Sequence, residues 1–291
     1  MTMACILCGA DKPLTRRFDK GEYSVASCPD CALVQLVPTP SDATLAALYS
    51  GQYFGSDDAQ SGYGDYASQE AEYLATFAED VKTIQRYVRT GDVLDVGCGY
   101  GYFMRVAHDA GLRPFGLDLS EAAVERASAR FPGRVFRGTL SDSALPPEQK
   151  FDVIFASHVV EHITAPVEFM RSVVARLKPG GLVALVTPNI ESLLSRVSGS
   201  RWVSFKIPEH VAYYSPATIT RLIRRGGHFE SISVKPAFQY YRLPFVAAKV
   251  RQLIQPVGRL VPPLEETRWL RDRVIRVTSG SLCAVARRRA T

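Results

Sequence analysis

From residue 92 to residue 235 short apolar runs alternate with stretches of helical period, and a chain patterned this way can fold in few ways. Residues 93–96, 113–118, 134–137, 151–156 and 181–187 read as strands. Helical patterns fill 101–110, 121–131 and 166–177, and a further helix over 216–225 precedes a strand over 228–235. Strands joined by helices run parallel, and a parallel sheet needs cover on both faces. The predicted class is α/β, with a doubly wound, mostly parallel sheet.

The first strand ends in Asp95-Val96-Gly97-Cys98-Gly99-Tyr100-Gly101. Glycines at every second position let the backbone turn sharply and approach a ligand where a side chain would collide. In an open α/β sheet this turn lies at the carboxyl ends of the strands, where ligands bind. Asp118 ends the second strand, placed to accept hydrogen bonds from ribose hydroxyls. The dinucleotide fingerprint G-x-G-x-x-G is not matched, because position 102 is tyrosine, and no G-K-[ST] follows to make a P-loop. Asp95 suits a cationic amino group near the loop better than a pyrophosphate.

The run from Leu94 to Gly101 resembles motif I of the class I S-adenosylmethionine-dependent methyltransferases. Gly116-Leu117-Asp118-Leu119-Ser120, Phe151-Asp152-Val153-Ile154 and Leu177-Lys178-Pro179-Gly180-Gly181 continue that resemblance, in order, over about residues 70–235. It implies a Rossmann-like methyltransferase fold with S-adenosylmethionine as cofactor. Gly97 and Gly99 would approach its methionine part, in a loop that also holds Asp95 and Gly101. Asp118 would hold the ribose, Leu119 and Leu140 would flank the adenine, and Ser157 or His158 would sit beneath the sulfonium. The wider layout, with His210-Val211-Ala212-Tyr213-Tyr214-Ser215-Pro216 near its end, resembles bacterial methyltransferases associated with sugar and polysaccharide modification.

Four of the six cysteines fall in two pairs, Cys5-x-x-Cys8 and Cys28-x-x-Cys31. Two residues between thiols let both sulfurs of a knuckle face one tetrahedral ion, so a zinc-ribbon module over residues 1–37 is expected. Four thiolates leave no open position for water, which makes such a zinc structural. Residues 38–90 read as a linker and helical lid. Ser41 caps a short helix to Leu48, a tyrosine-rich loop carries Tyr63 and Tyr66, and a helical pattern covers 66–88. The methyltransferase domain is assigned to 91–240 and a basic, helical extension to 241–291.

The fourth strand runs into Ser157-His158-Val159-Val160-Glu161-His162. Three readings of this segment stand: a strand-to-helix turn, a catalytic base built from Glu161 and His162 with His210, or a divalent metal site that also takes in His158. A histidine titrating near neutrality can take the proton of a hydroxyl as it attacks a methyl group. Trp202, Tyr213 and Tyr214, with Tyr63 and Tyr66, are the expected acceptor pocket, since aromatic faces with hydroxyl tips suit sugar rings and planar metabolites equally.

The formal charge is +6, yet residues 242–291 carry eleven Arg/Lys against three acids and leave the rest near −2. The body is therefore no general polyanion binder. The tail reads first as a solvated basic helical face and second as peripheral contact with an anionic membrane surface, and nucleic acid is not the expected partner. No apolar run spans a bilayer and no secretory signal opens the chain, so a cytoplasmic enzyme is expected. The expected reaction is O-methylation of a sugar hydroxyl, nucleotide-activated or in a surface glycan, by a histidine base. C-methylation of a nucleotide keto-sugar and methylation of RNA by a zinc-ribbon enzyme are the alternatives.

Overall fold

The structure is a computed structural model in which residues 4–41, 43–45, 69–247, 273–278 and 280–290 are described. Three strands open the chain: β1 (Thr15–Lys20), β2 (Tyr23–Ser27) and β3 (Val34–Val37). Helix α1 (Glu70–Gln85) leads into β4 (Asp92–Val96), α2 (Tyr102–Asp109), β5 (Arg113–Asp118), α3 (Glu121–Arg130) and β6 (Val135–Arg137). Then come β7 (Phe151–Ser157), α4 (Pro166–Arg176), β8 (Leu177–Pro188), α5 (Leu193–Ser198) and the two-residue β9 (Ala212–Tyr213). Helix α6 (Pro216–Gly226), β10 (Phe229–Pro236), β11 (Gln239–Arg242), β12 (Val274–Val277) and β13 (Ser281–Arg288) follow.

The central sheet has the order β10-β13-β8-β7-β4-β5-β6. Strands β8, β7, β4, β5 and β6 pair in parallel, in line with the α/β expectation. Their burial explains the apolar runs: every residue of β4 is buried, as are Val153, Ile154, Phe155 and Ala156 of β7. Helix caps fit the sequence. Ser120 accepts a hydrogen bond from Ala123 N, and Ser215 and Thr218 form a capping box at α6 with Pro216 in its first turn.

The C-terminal segment corrects the sequence reading. Residues 281–288 are not a helical extension but β13, antiparallel between β8 and β10 inside the central sheet. Leu282, Ala284 and Ala286 are buried there. Arg287 donates to Gly180 O and Arg288 to Val174 O, so these cations brace the sheet rather than decorate a tail. The domain boundary drawn at residue 240 accordingly cuts through one sheet. Among the described residues no helix is long and apolar enough to cross a membrane.

The N-terminal strands form a second sheet, β1-β2-β3-β9, whose last strand comes from beyond β8. Arg225 of α6 donates to Cys8 O and Arg221 to Asp30 O, so one helix grips both cysteine knuckles.

Candidate active site

A cleft of about 910 Å³ opens at the carboxyl ends of β4, β5 and β7. That is near the top of the range of about 300–1,000 Å³ for ligand pockets, enough for a cofactor and an acceptor side by side. Its wall is built from the loop after β4, the ends of β5 and β7, the turn after β6, α1, α4 and Gln239.

The glycine loop forms one end. Gly97 N and Cys98 N donate to Leu117 O, at 2.7 and 3.1 Å, which ties the loop to β5. Gly97 has φ +74° and a Cβ there would lie 2.6 Å from Val159 Cγ2, so only glycine fits this close turn. Gly101 is the N-cap of α2 and stands back from the cleft. Asp118 accepts from Gly99 N and Ser120 N, each at 2.9 Å. Burial raises its carboxyl, opposed by those backbone donors. Asp95 is held well above the ordinary carboxylate range by burial, then by Asp118 and Asp80. A buried carboxyl without a cation keeps its proton, and an incoming ammonium would relieve it. Leu119, 51% exposed, and buried Leu140 also line the cleft, as do Ser157 and His158. The cofactor residues named from sequence, Gly101 apart, thus share one cavity.

At the other end Glu161, 1% exposed, lies on a turn of 3-10 helix, Val160–His162. His158 Nδ1 is 3.1 Å from Glu161 Oε1, and Thr187 Oγ1 donates to Glu161 Oε2 at 2.9 Å. Burial pushes the Glu161 carboxyl up, but the hydrogen bond and charge of His158, with His210 and His162, hold it at about 2. Val211 N donates to Glu161 O at 2.8 Å, which brings His210 against His162 with ring centroids 4.6 Å apart. Burial lowers His162 to about 4 and His210 well below its ordinary value. His162 reaches the cleft, whereas His210 is 5% exposed and lies outside its wall. Ligand atoms of Glu161, His162 and His210 lie within 4.8 Å of one another, a donor set that could hold a cation. Both Glu161 oxygens are, however, already engaged by His158 and Thr187.

Three of the expected acceptor residues are corrected. Trp202, Tyr213 and Tyr214 are at most 2% exposed and do not line the cleft. Trp202 and Tyr213 pack with Phe205, Val25, Val34 and Leu36, seating the second sheet on the domain. Tyr63 and Tyr66 lie outside the described residues. The cleft wall instead takes Tyr73, Thr76 and Phe77 from α1, together with Gln239. The i, i+4 spacing of Tyr73 and Phe77 on a helical pattern could have flagged the first group, but nothing local marks Gln239.

Away from the cleft, Cys5, Cys8, Cys28 and Cys31 place all four sulfurs within 4.8 Å of one another. The Cys5–Cys31 and Cys8–Cys28 sulfurs are 3.5 and 3.6 Å apart. Zinc–sulfur bonds of about 2.3 Å in a tetrahedron put sulfurs roughly 3.8 Å apart, so the cluster fits such an ion.

Comparison with known proteins fits this geometry. A probable S-adenosylmethionine-dependent methyltransferase of Mycolicibacterium smegmatis is 33% identical over 138 residues, 47% of this chain and 51% of that protein. A ubiquinone biosynthesis O-methyltransferase of Nitrosospira multiformis is 30% identical over 157 residues, 50% of this chain and 66% of that protein. The chain thus spans between half and two thirds of these relatives' lengths. Crystal structures of S-adenosylmethionine-dependent methyltransferases from Thermotoga maritima and Archaeoglobus fulgidus share the fold, each with TM-score 0.52 at 18% identity over 77% of this chain. They are covered to 95% and 99%. The methyltransferase-domain family matches residues 66–228, from α1 to the end of α6, and the chain belongs to that family.

Proposed function

We propose that this chain transfers the methyl group of S-adenosylmethionine to a hydroxyl of a sugar, nucleotide-activated or within a glycan. The observation that carries the reading is the single cleft that joins the glycine loop, Asp95 and Asp118 to the His158–Glu161 pair. The sulfonium supplies an activated methyl carbon. What remains for the protein is alignment of the nucleophile and a place for its proton.

Each end has its task. Gly97 and Gly99 let the donor's methionine part close on the backbone, with Asp95 as counter-charge to its ammonium. Asp118 exchanges its backbone contacts for ribose hydroxyls, while Leu119 and Leu140 cover the adenine. At the acceptor end the rings of Tyr73 and Phe77, with Thr76 and Gln239, offer apolar faces and hydrogen bonds to a sugar ring. A histidine of the Glu161 cluster receives the hydroxyl proton. The four-cysteine cluster holds a structural zinc ion outside the cleft wall.

A second reading is a phenolic hydroxyl of a quinone precursor, favoured by the names of several relatives. Incubation of the purified chain with methyl-labelled S-adenosylmethionine and a fractionated cell extract separates the two. Label in nucleotide-sugar or lipid-glycan fractions supports the sugar. Label in the lipid-quinone fraction replaces it with the phenol, and label in RNA overturns both.

A further inference from the structure

A line of polar side chains crosses the acceptor end of the cleft, and donor binding does not account for it. Tyr241 OH donates to Gln239 Oε1 at 2.6 Å, and Gln239 Nε2 lies 2.9 Å from His158 Nε2. His158 Nδ1 faces Glu161 Oε1, and Glu161 Oε2 accepts from Thr187. With the Gln239 carboxamide oriented as it stands, the line has one direction. The Gln239 carbonyl oxygen is taken by the tyrosine hydroxyl, so its amide N–H points at His158. His158 Nε2 must then carry a lone pair, and the ring proton sits on Nδ1, donated to the buried carboxylate. This tautomer follows from the network of partners.

The backbone supports a special role for His158. It has φ +56°, in the left-handed region that only a few per cent of non-glycine residues adopt, histidine among the commoner of them with asparagine and aspartate. The conformation is held because His158 N still bonds Val186 O, at 2.8 Å, as β7 ends. Strain of this kind is kept where surrounding structure fixes it, often at reacting sites. His158 is a quarter exposed, toward the cleft, while its partner Glu161 is sealed beneath it. His210 has no such access, and His162 is oriented by a hydrogen bond to the Glu209 backbone.

Building on the methyl-transfer reading above, we propose that His158 is the general base of the reaction. Glu161 and Thr187 position it, and Gln239 fills the place the acceptor hydroxyl takes. The hydroxyl displaces the Gln239 amide from His158 Nε2. As its oxygen bonds the methyl carbon, its proton passes to Nε2. The sulfur–carbon bond breaks with its electron pair left on sulfur, giving neutral S-adenosylhomocysteine. The imidazolium is held beside ionised Glu161 until its proton leaves to water.

The test uses the full chain, methyl-labelled S-adenosylmethionine and whichever extract fraction the wild type labels. His158→Asn keeps a residue tolerant of the left-handed backbone and removes the base. We expect turnover to fall roughly 10²–10⁴-fold, with S-adenosylmethionine affinity within about twofold of wild type by the fold-change scale. In His158→Gly, which leaves space at the same backbone, added imidazole restores part of the rate. Glu161→Gln lowers kcat without changing donor affinity, and Gln239→Ala changes acceptor KM more than kcat. His158→Asn with near-wild-type turnover, while His162→Gln is inactive, would overturn the assignment. So would turnover abolished by chelator and restored by Mg²⁺ or Zn²⁺ with His158→Asn fully active. A wild type that binds the donor but labels no fraction instead overturns the transfer reading itself.

Discussion

Val34 of the N-terminal sheet pairs with Tyr213 of the methyltransferase domain, antiparallel, and Gln35 pairs with Ala212 beside it. This bridge makes the four-cysteine unit a structural part of the domain rather than a bead on a linker. Gln35, fully buried, accepts from Ile6 N at 3.1 Å and so ties the first knuckle to the same strand. Residues 211–213 link its sheet to the Glu161 turn, since Val211 N donates to Glu161 O while Ala212 and Tyr213 pair with β3.

A metal ion held by these four cysteines would therefore stabilise the whole domain, and its loss would weaken it. Cys28→Ser should bind less than one zinc per chain by elemental analysis and melt several degrees lower in one transition. Removal of structural zinc forfeits binding free energy that is also folding free energy. Two separate transitions, the second unchanged from wild type, would show that the bridge carries no coupling.

Tyr213 distinguishes packing from acceptor binding. It is 1% exposed against Trp202 and Phe205, with Tyr213 and Phe205 ring centroids 4.8 Å apart. Tyr213→Ala should cost about 3–5 kcal/mol in denaturant titration. Tyr213→Phe should leave acceptor KM within about twofold, a change below 0.5 kcal/mol on the same scale. A tenfold rise in KM for Tyr213→Phe would return this residue to the acceptor pocket.

Gly97→Ala tests the close turn. The added methyl would meet Val159 and adopt φ +74°, a left-handed cost of about 1–2 kcal/mol before the clash. The variant should fold with lowered stability and bind S-adenosylmethionine at least about tenfold more weakly, near 1.4 kcal/mol. Unchanged affinity would mean that the loop does not approach the donor.

Much of this was legible in the residues. The parallel strands announce themselves because burial on both faces demands unbroken apolar runs such as 151–156, and the glycine loop because left-handed turns demand glycine. The last strand was not. Its apolar run, Leu282 to Ala286, is short and built mostly of small residues, it runs directly into Arg287 and Arg288, and its partners β8 and β10 lie far back in the chain. The histidine cluster was half legible. His158, Glu161 and His162 are neighbours in sequence, but the approach of His210 depends on a backbone bond from Val211 to Glu161. The aromatic residues near His210 misled because hydroxyl-tipped rings look alike in a pocket and in a packed interface.

Asp80 carries a pH prediction. Burial, with Glu79 adding, pushes its carboxyl up to about 8 from 3.8. The folded chain therefore keeps a proton that the unfolded chain releases above about pH 4. Stability from this group is fully present below the unfolded value and is lost as pH rises through the folded one. Asp80→Asn has no such proton, so its advantage over wild type should widen by about 1.4 kcal/mol per pH unit between pH 5 and 7.5. Urea titrations at those two pH values measure it. A gap that stays constant would place Asp80 in a solvated setting.

The most direct test of the account is calorimetric titration of S-adenosylmethionine into the wild-type chain and into Asp118→Ala. The wild type should take up one donor per chain, and the variant should bind it at least about tenfold more weakly, near 1.4 kcal/mol. No binding to the wild type, or equal binding to both, would contradict the assignment of the cleft.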